Sequence, residues 1–289
     1  MNIIDKIKKY KEDIIYIVGH KNADVDSILS CLLLEKHLRM NNINAKALII
    51  DTDKESVNLV NKYFPDLLIE ETEININAPI ILVDHYSDNR FRNIVGCIDH
   101  HPTAGKLNYD VYINKNASSC CKLIYDLFIK NETKEDILMV LFSIYMDTIS
   151  CRSDKFIISD KQFIENKKKQ YGLSLEEYEK EGLCLTPLDA PIAEIAENGQ
   201  KEYTFGYYNV ACSYIQVDRY DVYTLLNALN YLLERKDKFH FVIFKVDNVE
   251  LLKSIFFVIN KITGETIKID KDTLVSRGSF MRAFEERLA

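Results

Sequence analysis

A chain of 289 residues, 47% of them hydrophobic, is long for one ordinary core and suits about two domains. Its net charge of −7 argues against a surface that tracks long nucleic acid, while small anions stay open because a bound divalent cation reverses the local sign. No apolar run reaches bilayer length and the N-terminus "MNIIDKIKKYKED" lacks a signal peptide's apolar stretch and cleavage site, so a cytoplasmic protein without a membrane partner is expected.

In chain order, the first part alternates strand-like apolar runs with helical patterns, the signature of a parallel α/β sheet. The strands expected are "IIYIVG", "AKALIID", "PIILVDH" and "VGCIDHH", and helices are expected over 27–40, 54–64, 118–130 and 135–146. Residues 156–182 are highly charged and read as solvated helices. "LCLTPLDAP" then places two of the chain's five prolines close together, which suggests a linker. Beyond it come "KEYTFGYYNVACSYIQV", a helix over 220–235, the strands "FHFVIFKV" and "LLKSIFFVIN", and a closing helix over 278–289. The expected organisation is an N-terminal domain over 1–184, a linker over 185–191 and a smaller α/β domain over 192–289. Seven scattered cysteines without a C-x-x-C pair suit reduced core thiols.

Three apolar strands end in Asp or His, and in open α/β sheets ligands bind outside the carboxyl ends of strands. The first ends in "GHKNADVDS", an H-x-x-x-D-x-D pattern at His20, Asp24 and Asp26 that enters a helix. Alone, the two acids would serve equally well as helix caps. The next two strands close on Asp84-His85 and on Asp99-His100-His101, which is costly at a buried strand end unless those groups are paired or hold a metal. Asp147 ends a strongly apolar helix, where the dipole disfavours an acid and a cation would compensate it. A ligand set rich in Asp, with some imidazole and no thiolate, favours octahedral Mn²⁺, Mg²⁺ or Co²⁺ over structural zinc. The ligands are too many for one ion, and two ions about 3.5–4 Å apart point to hydrolysis of a phosphate ester or anhydride.

"GHKNADVDS", "LVDH", "IDHH" and "MDT" together resemble the four metal-binding motifs of the DHH phosphoesterase superfamily, with the pattern of the manganese-dependent (family II) inorganic pyrophosphatases nearest and exopolyphosphatases of the same branch beside it. The resemblance implies an N-terminal parallel-sheet DHH domain with a C-terminal α/β lid, two divalent ions with Mn²⁺ preferred, and a small phosphate-containing substrate; a homodimer is compatible with it. It implies that His20 and Asp24 hold one ion, that Asp26, His100 and Asp147 hold the other, and that Asp84 bridges them. A water or hydroxide between the ions would be the nucleophile, His101 would face the phosphate, and Asp99 would orient the histidines. In the second domain "GQKEYTFG" makes Lys201, and "VSRGS" makes Arg277, candidate phosphate ligands that lid closure would bring to the leaving group. Ser118 and Ser119 are expected to cap a helix rather than do chemistry.

The chain departs from the pyrophosphatase pattern at Gly278, where a lysine is usual, at Ala23 for proline, and at Tyr86 for asparagine; "PTAGKLNYD" after the DHH motif is also unusual. Losing the lysine should weaken stabilisation of a compact pyrophosphate and admit a larger substrate. The expected activity is hydrolysis of pyrophosphate to phosphate. The alternatives are an exopolyphosphatase or nucleotide polyphosphate phosphohydrolase, and a catalytically weak metal- or nucleotide-binding regulator. A RecJ-type or oligoribonuclease-type nuclease fits less well, because no Gly-Gly pair is present.

Overall fold

The computed structural model describes residues 3–10, 13–67, 77–101, 107–236 and 238–288. Part of the unusual stretch after the DHH motif, 102–106, lies outside the described residues. The chain divides into two compact units, residues 1–151 with 155–182, and residues 152–154 with 183–289.

The first unit runs α1 (Ile3–Ile7), β1 (Ile15–Val18), α2 (Val25–Met40), β2 (Ala45–Leu48), α3 (Lys54–Tyr63), β3 (Ile80–Val83), β4 (Ile94–Asp99), β5 (Val111–Asn114), α4 (Cys120–Phe128), α5 (Lys134–Asp147), α6 (Ile158–Tyr171) and α7 (Glu176–Gly182). Its five strands form a sheet in the order β2-β1-β3-β4-β5, every pair parallel. The inner strands β1, β3 and β4 read as near-continuous apolar runs because both faces are covered. Ile17, Ile81, Val83 and Ile98 pack on one side with α2, α4 and α5, while Tyr16, Val18, Leu82 and Cys97 pack on the other. α2 is apolar around most of its girth, and Val25 to Leu34 are all buried. The strand order reverses between β1 and β3, which opens a crevice at their carboxyl ends.

Gly182 closes α7 in a tight place: a Cβ there would lie 2.5 Å from Ser150 Oγ and 2.5 Å from the Tyr145 carbonyl oxygen. Gly182→Ala should therefore destabilise this unit by about 1–3 kcal/mol, the usual cost of overpacking, read as a lower urea midpoint at unchanged slope.

The second unit runs α8 (Ile192–Glu197), β6 (Lys201–Phe205), β7 (Tyr208–Val217), α9 (Val222–Glu234), β8 (Phe241–Asn248), β9 (Lys253–Asn260), β10 (Thr266–Lys271) and α10 (Arg277–Leu288). Its sheet, in the order β10-β9-β8-β7-β6, is mixed: only β7 and β8 are parallel, and α9 connects them. α10 packs Phe280 and Met281 against Cys212, Ile243 and Phe256 on one face. The helix and strand patterns anticipate most of these elements. They do not anticipate α1, β5, α8 or β10, which are short helices or edge strands. All seven cysteines are free thiols, and among the described residues no helix is long and apolar enough to cross a membrane.

Candidate metal centre

Six of the residues singled out as metal ligands converge at the crevice of the first unit. β1 ends one residue before Gly19-His20, β3 ends at Val83 just before Asp84, β4 ends at Asp99 just before His100, and α5 ends on Asp147. Their ligand atoms form three overlapping groups, each within 4.8 Å: His20, Asp24 and Asp84; Asp84, His100 and His101; Asp26, His100 and Asp147. Asp84 belongs to two of them and stands between the others.

Each imidazole is oriented by its second nitrogen. His20 Nδ1 donates to the Lys21 carbonyl at 2.8 Å, leaving Nε2 at 3.3 Å from Asp24 Oδ2 and 3.5 Å from Asp84 Oδ2. His100 Nδ1 donates to the Ala117 carbonyl at 2.9 Å, and its Nε2 lies 3.2 Å from Asp84 Oδ1, 3.5 Å from Asp147 Oδ2 and 3.6 Å from Asp26 Oδ2. This carbonyl-to-imidazole arrangement sets the tautomer a metal-binding histidine needs. His101 Nδ1 lies 2.9 Å from Asp99 Oδ1, which also accepts the His101 amide, and Asn114 donates to the other Asp99 oxygen.

The carboxylates do double duty. Asp24 is the N-cap of α2, its Oδ1 accepting from the Ser27 amide while Oδ2 faces His20. Asp26 accepts from the Cys120 and Cys121 amides at the start of α4, at 2.7 and 2.9 Å, and from the hydroxyls of Ser30 and Ser143. Asp84 Oδ2 accepts from Ser27 Oγ at 2.8 Å. Asp84 itself sits at φ 64°, a left-handed backbone that Asp tolerates better than most residues. Of Ser118 and Ser119, the second caps α4, and the first donates to Asp160.

Within this cluster, three buried polar atoms find no hydrogen-bond partner outside it: Asp84 Oδ1, His100 Nε2 and Asp147 Oδ2. They are the same atoms that approach one another, and so much unpaired polarity in a buried place is costly unless a further group sits among them. The donors are carboxylate and imidazole, while the nearby Cys120 thiol is pushed up by burial and then by Asp26, so it stays protonated. These residues fit divalent ions of the harder kind.

The charges respond to this crowding. Burial pushes Asp26 up, and the charge of Asp84 adds to that. Burial acts the same way on Asp84, but His100, His101 and His20 overcome it and hold its carboxyl well below the usual range. His100 would be lowered by burial, yet its contact with Asp84 and the charge of Asp147 raise it to about 10. His101 moves down, through burial and the charge of His100.

One residue of the cluster has no counterpart among the sequence expectations. Lys155 Nζ donates to Asp147 Oδ1, and its charge also acts on Asp84, Asp24 and both DHH histidines. No local signal marks it, since it follows a polar turn in "CRSDKF".

Lys201 and Arg277 lie in the second unit, at one corner of its sheet. Lys201 opens β6, and Arg277 opens α10 and donates to the carbonyl of Gly199, two residues before Lys201. The Arg277 guanidinium also lies 5.8 Å from the Tyr214 ring centre, and Lys245 Nζ lies 4.4 Å from the same ring. Lys245 is buried and paired with Asp247 at 2.5 Å. A lysine and an aspartate two apart inside "VIFKVDN" were the available clue to this pair.

Residues 14–146 match the model of the DHH family, N-terminal domain. The matched residues all lie within the first unit. A Clostridium acetobutylicum protein named a probable manganese-dependent inorganic pyrophosphatase is 28% identical over 185 residues, 59% of either chain. The manganese-dependent inorganic pyrophosphatase of Methanocaldococcus jannaschii is 28% identical over 184 residues, 56% of this chain and 58% of the other. These matches thus span less than two thirds of the relatives' lengths. The solved structure of a Methanococcus jannaschii protein assigned to the family II inorganic pyrophosphatases aligns with a TM-score of 0.72 at 21% identity, covering 94% of this chain and 98% of that one. The fold of a DHH domain followed by a second, mixed α/β unit is therefore the one the sequence resemblance implied.

Proposed function

We propose that the chain hydrolyses inorganic pyrophosphate to phosphate with two divalent ions, Mn²⁺ by preference. His20 and Asp24 would hold one ion, Asp26, His100 and Asp147 the other, and Asp84 would serve both. The observation that carries this reading is the convergence of Asp84 Oδ1, His100 Nε2 and Asp147 Oδ2 in one buried place with no hydrogen-bond partner outside the cluster. The manganese dependence in the names of the two relatives supports the choice of ion. When bound, such ions supply a water of lowered pKa and neutralise phosphoryl charge.

The chain's own residues supply the rest. The ordered partners of His20 and His100 keep their Nε2 atoms aimed into the crevice, and the amides at the start of α4 hold Asp26. His101 has Nδ1 committed to Asp99, so a proton shared with a phosphate oxygen would be carried on Nε2. Lys201 and Arg277 would form the anion-binding corner of the second unit. Gly278, following Arg277 at the start of α10, favours a second reading in which a longer polyphosphate or a nucleotide polyphosphate is the better substrate.

The test is phosphate release from pyrophosphate, tripolyphosphate and nucleotides with Mn²⁺, Co²⁺ or Mg²⁺. Fastest release from pyrophosphate with Mn²⁺ is expected. Faster turnover of tripolyphosphate or a nucleotide would replace the first reading with the second, and no release from any substrate with any of these metals would overturn both.

A further inference from the structure

We propose that Lys155 sets the ion selectivity of this cluster by restricting Asp147 to a single metal-binding oxygen. The inference rests on the reading of the cluster as a metal centre. The two oxygens of Asp147 are treated differently: Oδ1 accepts from the Lys155 ammonium, whereas Oδ2 is buried, has no hydrogen-bond partner, and faces His100 Nε2 at 3.5 Å. Lys155 is a positioning residue. It acts through Asp147, fixing which oxygen points inward and keeping the other occupied.

The backbone supports a built arrangement rather than a chance surface pair. After α5 and its cap Thr148, residues 149, 150 and 151 all adopt left-handed backbone, with φ of 51°, 52° and 64°. One of them is the β-branched Ile149, for which this conformation is unfavourable by roughly 1–2 kcal/mol. Three such residues in a row turn the chain sharply at the end of the helix, and Lys155 comes back to the carboxylate only eight positions after it. Both partners are largely covered, the side chains of Lys155 and Asp147 being 22% and 14% exposed.

Denticity is what separates the candidate ions. Calcium gathers six to eight oxygens and readily takes both oxygens of one carboxylate, whereas smaller octahedral ions are satisfied by one. With Oδ1 held by an ammonium, Asp147 offers one oxygen, and calcium loses a ligand that manganese does not need. Removing the lysine charge alone would tighten both dications together, so the ratio of their affinities reports denticity and not charge.

The experiment is calorimetric titration of chelator-stripped full-length protein with MnCl₂ and with CaCl₂. In Lys155→Met the preference for Mn²⁺ over Ca²⁺ should fall at least about tenfold, within the range by which partners of metal ligands tune a site, and Lys155→Arg should restore it. Asp147→Asn has one side-chain oxygen whatever its neighbour does, so Lys155→Met placed in that background should leave the ratio unchanged. This arm also covers the case in which the single variant fails to fold, because it leaves no unpaired carboxylate. A folded Lys155→Met with the wild-type ratio, or an equally large shift in the Asp147→Asn background, would overturn the inference alone. Wild-type protein that binds neither ion would overturn the metal-centre reading as well.

Discussion

Asp84→Asn should abolish Mn²⁺-dependent phosphate release, lowering it by more than about 10²-fold, because even residues that merely support a metal ligand affect a site on that scale. Asp84 stands in two of the three ligand groups, so its loss removes a donor from both sides of the cluster at once. Asparagine is the informative replacement for three reasons. It keeps the shape, it tolerates the φ of 64° at this position, and its carbonyl oxygen can still accept from Ser27 Oγ. Alanine would add backbone strain and a cavity, confusing loss of a ligand with loss of fold. The metal-free variant should stay folded, with a thermal midpoint lowered by loss of the charge pairing with His20 and His100, while the upward shift produced by Mn²⁺ disappears. Substantial residual turnover in a folded variant would remove Asp84 from its assigned place.

What the sequence made legible follows from the physics of strand ends. Buried parallel strands are read easily as apolar runs, and a histidine or aspartate at their carboxyl ends stands out because it is out of character there. His20, Asp84 and His100 were visible for that reason, and Asp24 and Asp26 by their spacing around the entry to α2. The helix-cap reading of Asp24 and the ligand reading turn out to be compatible, since one oxygen caps while the other faces His20. Lys155 was not legible, because its approach to Asp147 depends on the three left-handed residues at 149–151, and Ile149 gives no hint of that conformation. β5 and β10 escaped notice for a different reason. "VYIN" lies at the sheet edge and alternates buried with half-buried residues, and "TIKIDK" lies at an edge with five of its six residues exposed, so neither shows the continuous apolar character of the inner strands.

The Mn²⁺ affinity of this protein should climb steeply between pH 6 and pH 9, by up to about tenfold per pH unit for each proton displaced. His100 carries the effect. Burial by itself would lower its pKa, but Asp84 and Asp147 raise it to about 10, so the metal-free protein holds a protonated imidazole where a metal needs a neutral one. The proton must leave before Nε2 can bind an ion, and it leaves more easily as pH rises. Folding stability runs in the opposite direction. A raised folded-state pKa adds stability that is fully present below the unfolded imidazole value of about 6.5 and is lost as pH rises through the folded value. The metal-free protein should therefore lose stability from this group as pH increases, while Mn²⁺ at one hundred times its dissociation constant contributes about 2.7 kcal/mol at any pH where that ratio is held. At fixed Mn²⁺ concentration the gap between metal-bound and metal-free thermal midpoints should widen from pH 6 to pH 9. Titrations in two buffers of different ionisation enthalpy should show net proton release on binding. A gap that narrows with pH, or binding without proton release at pH 7, would mean that no proton on His100 is displaced by the ion.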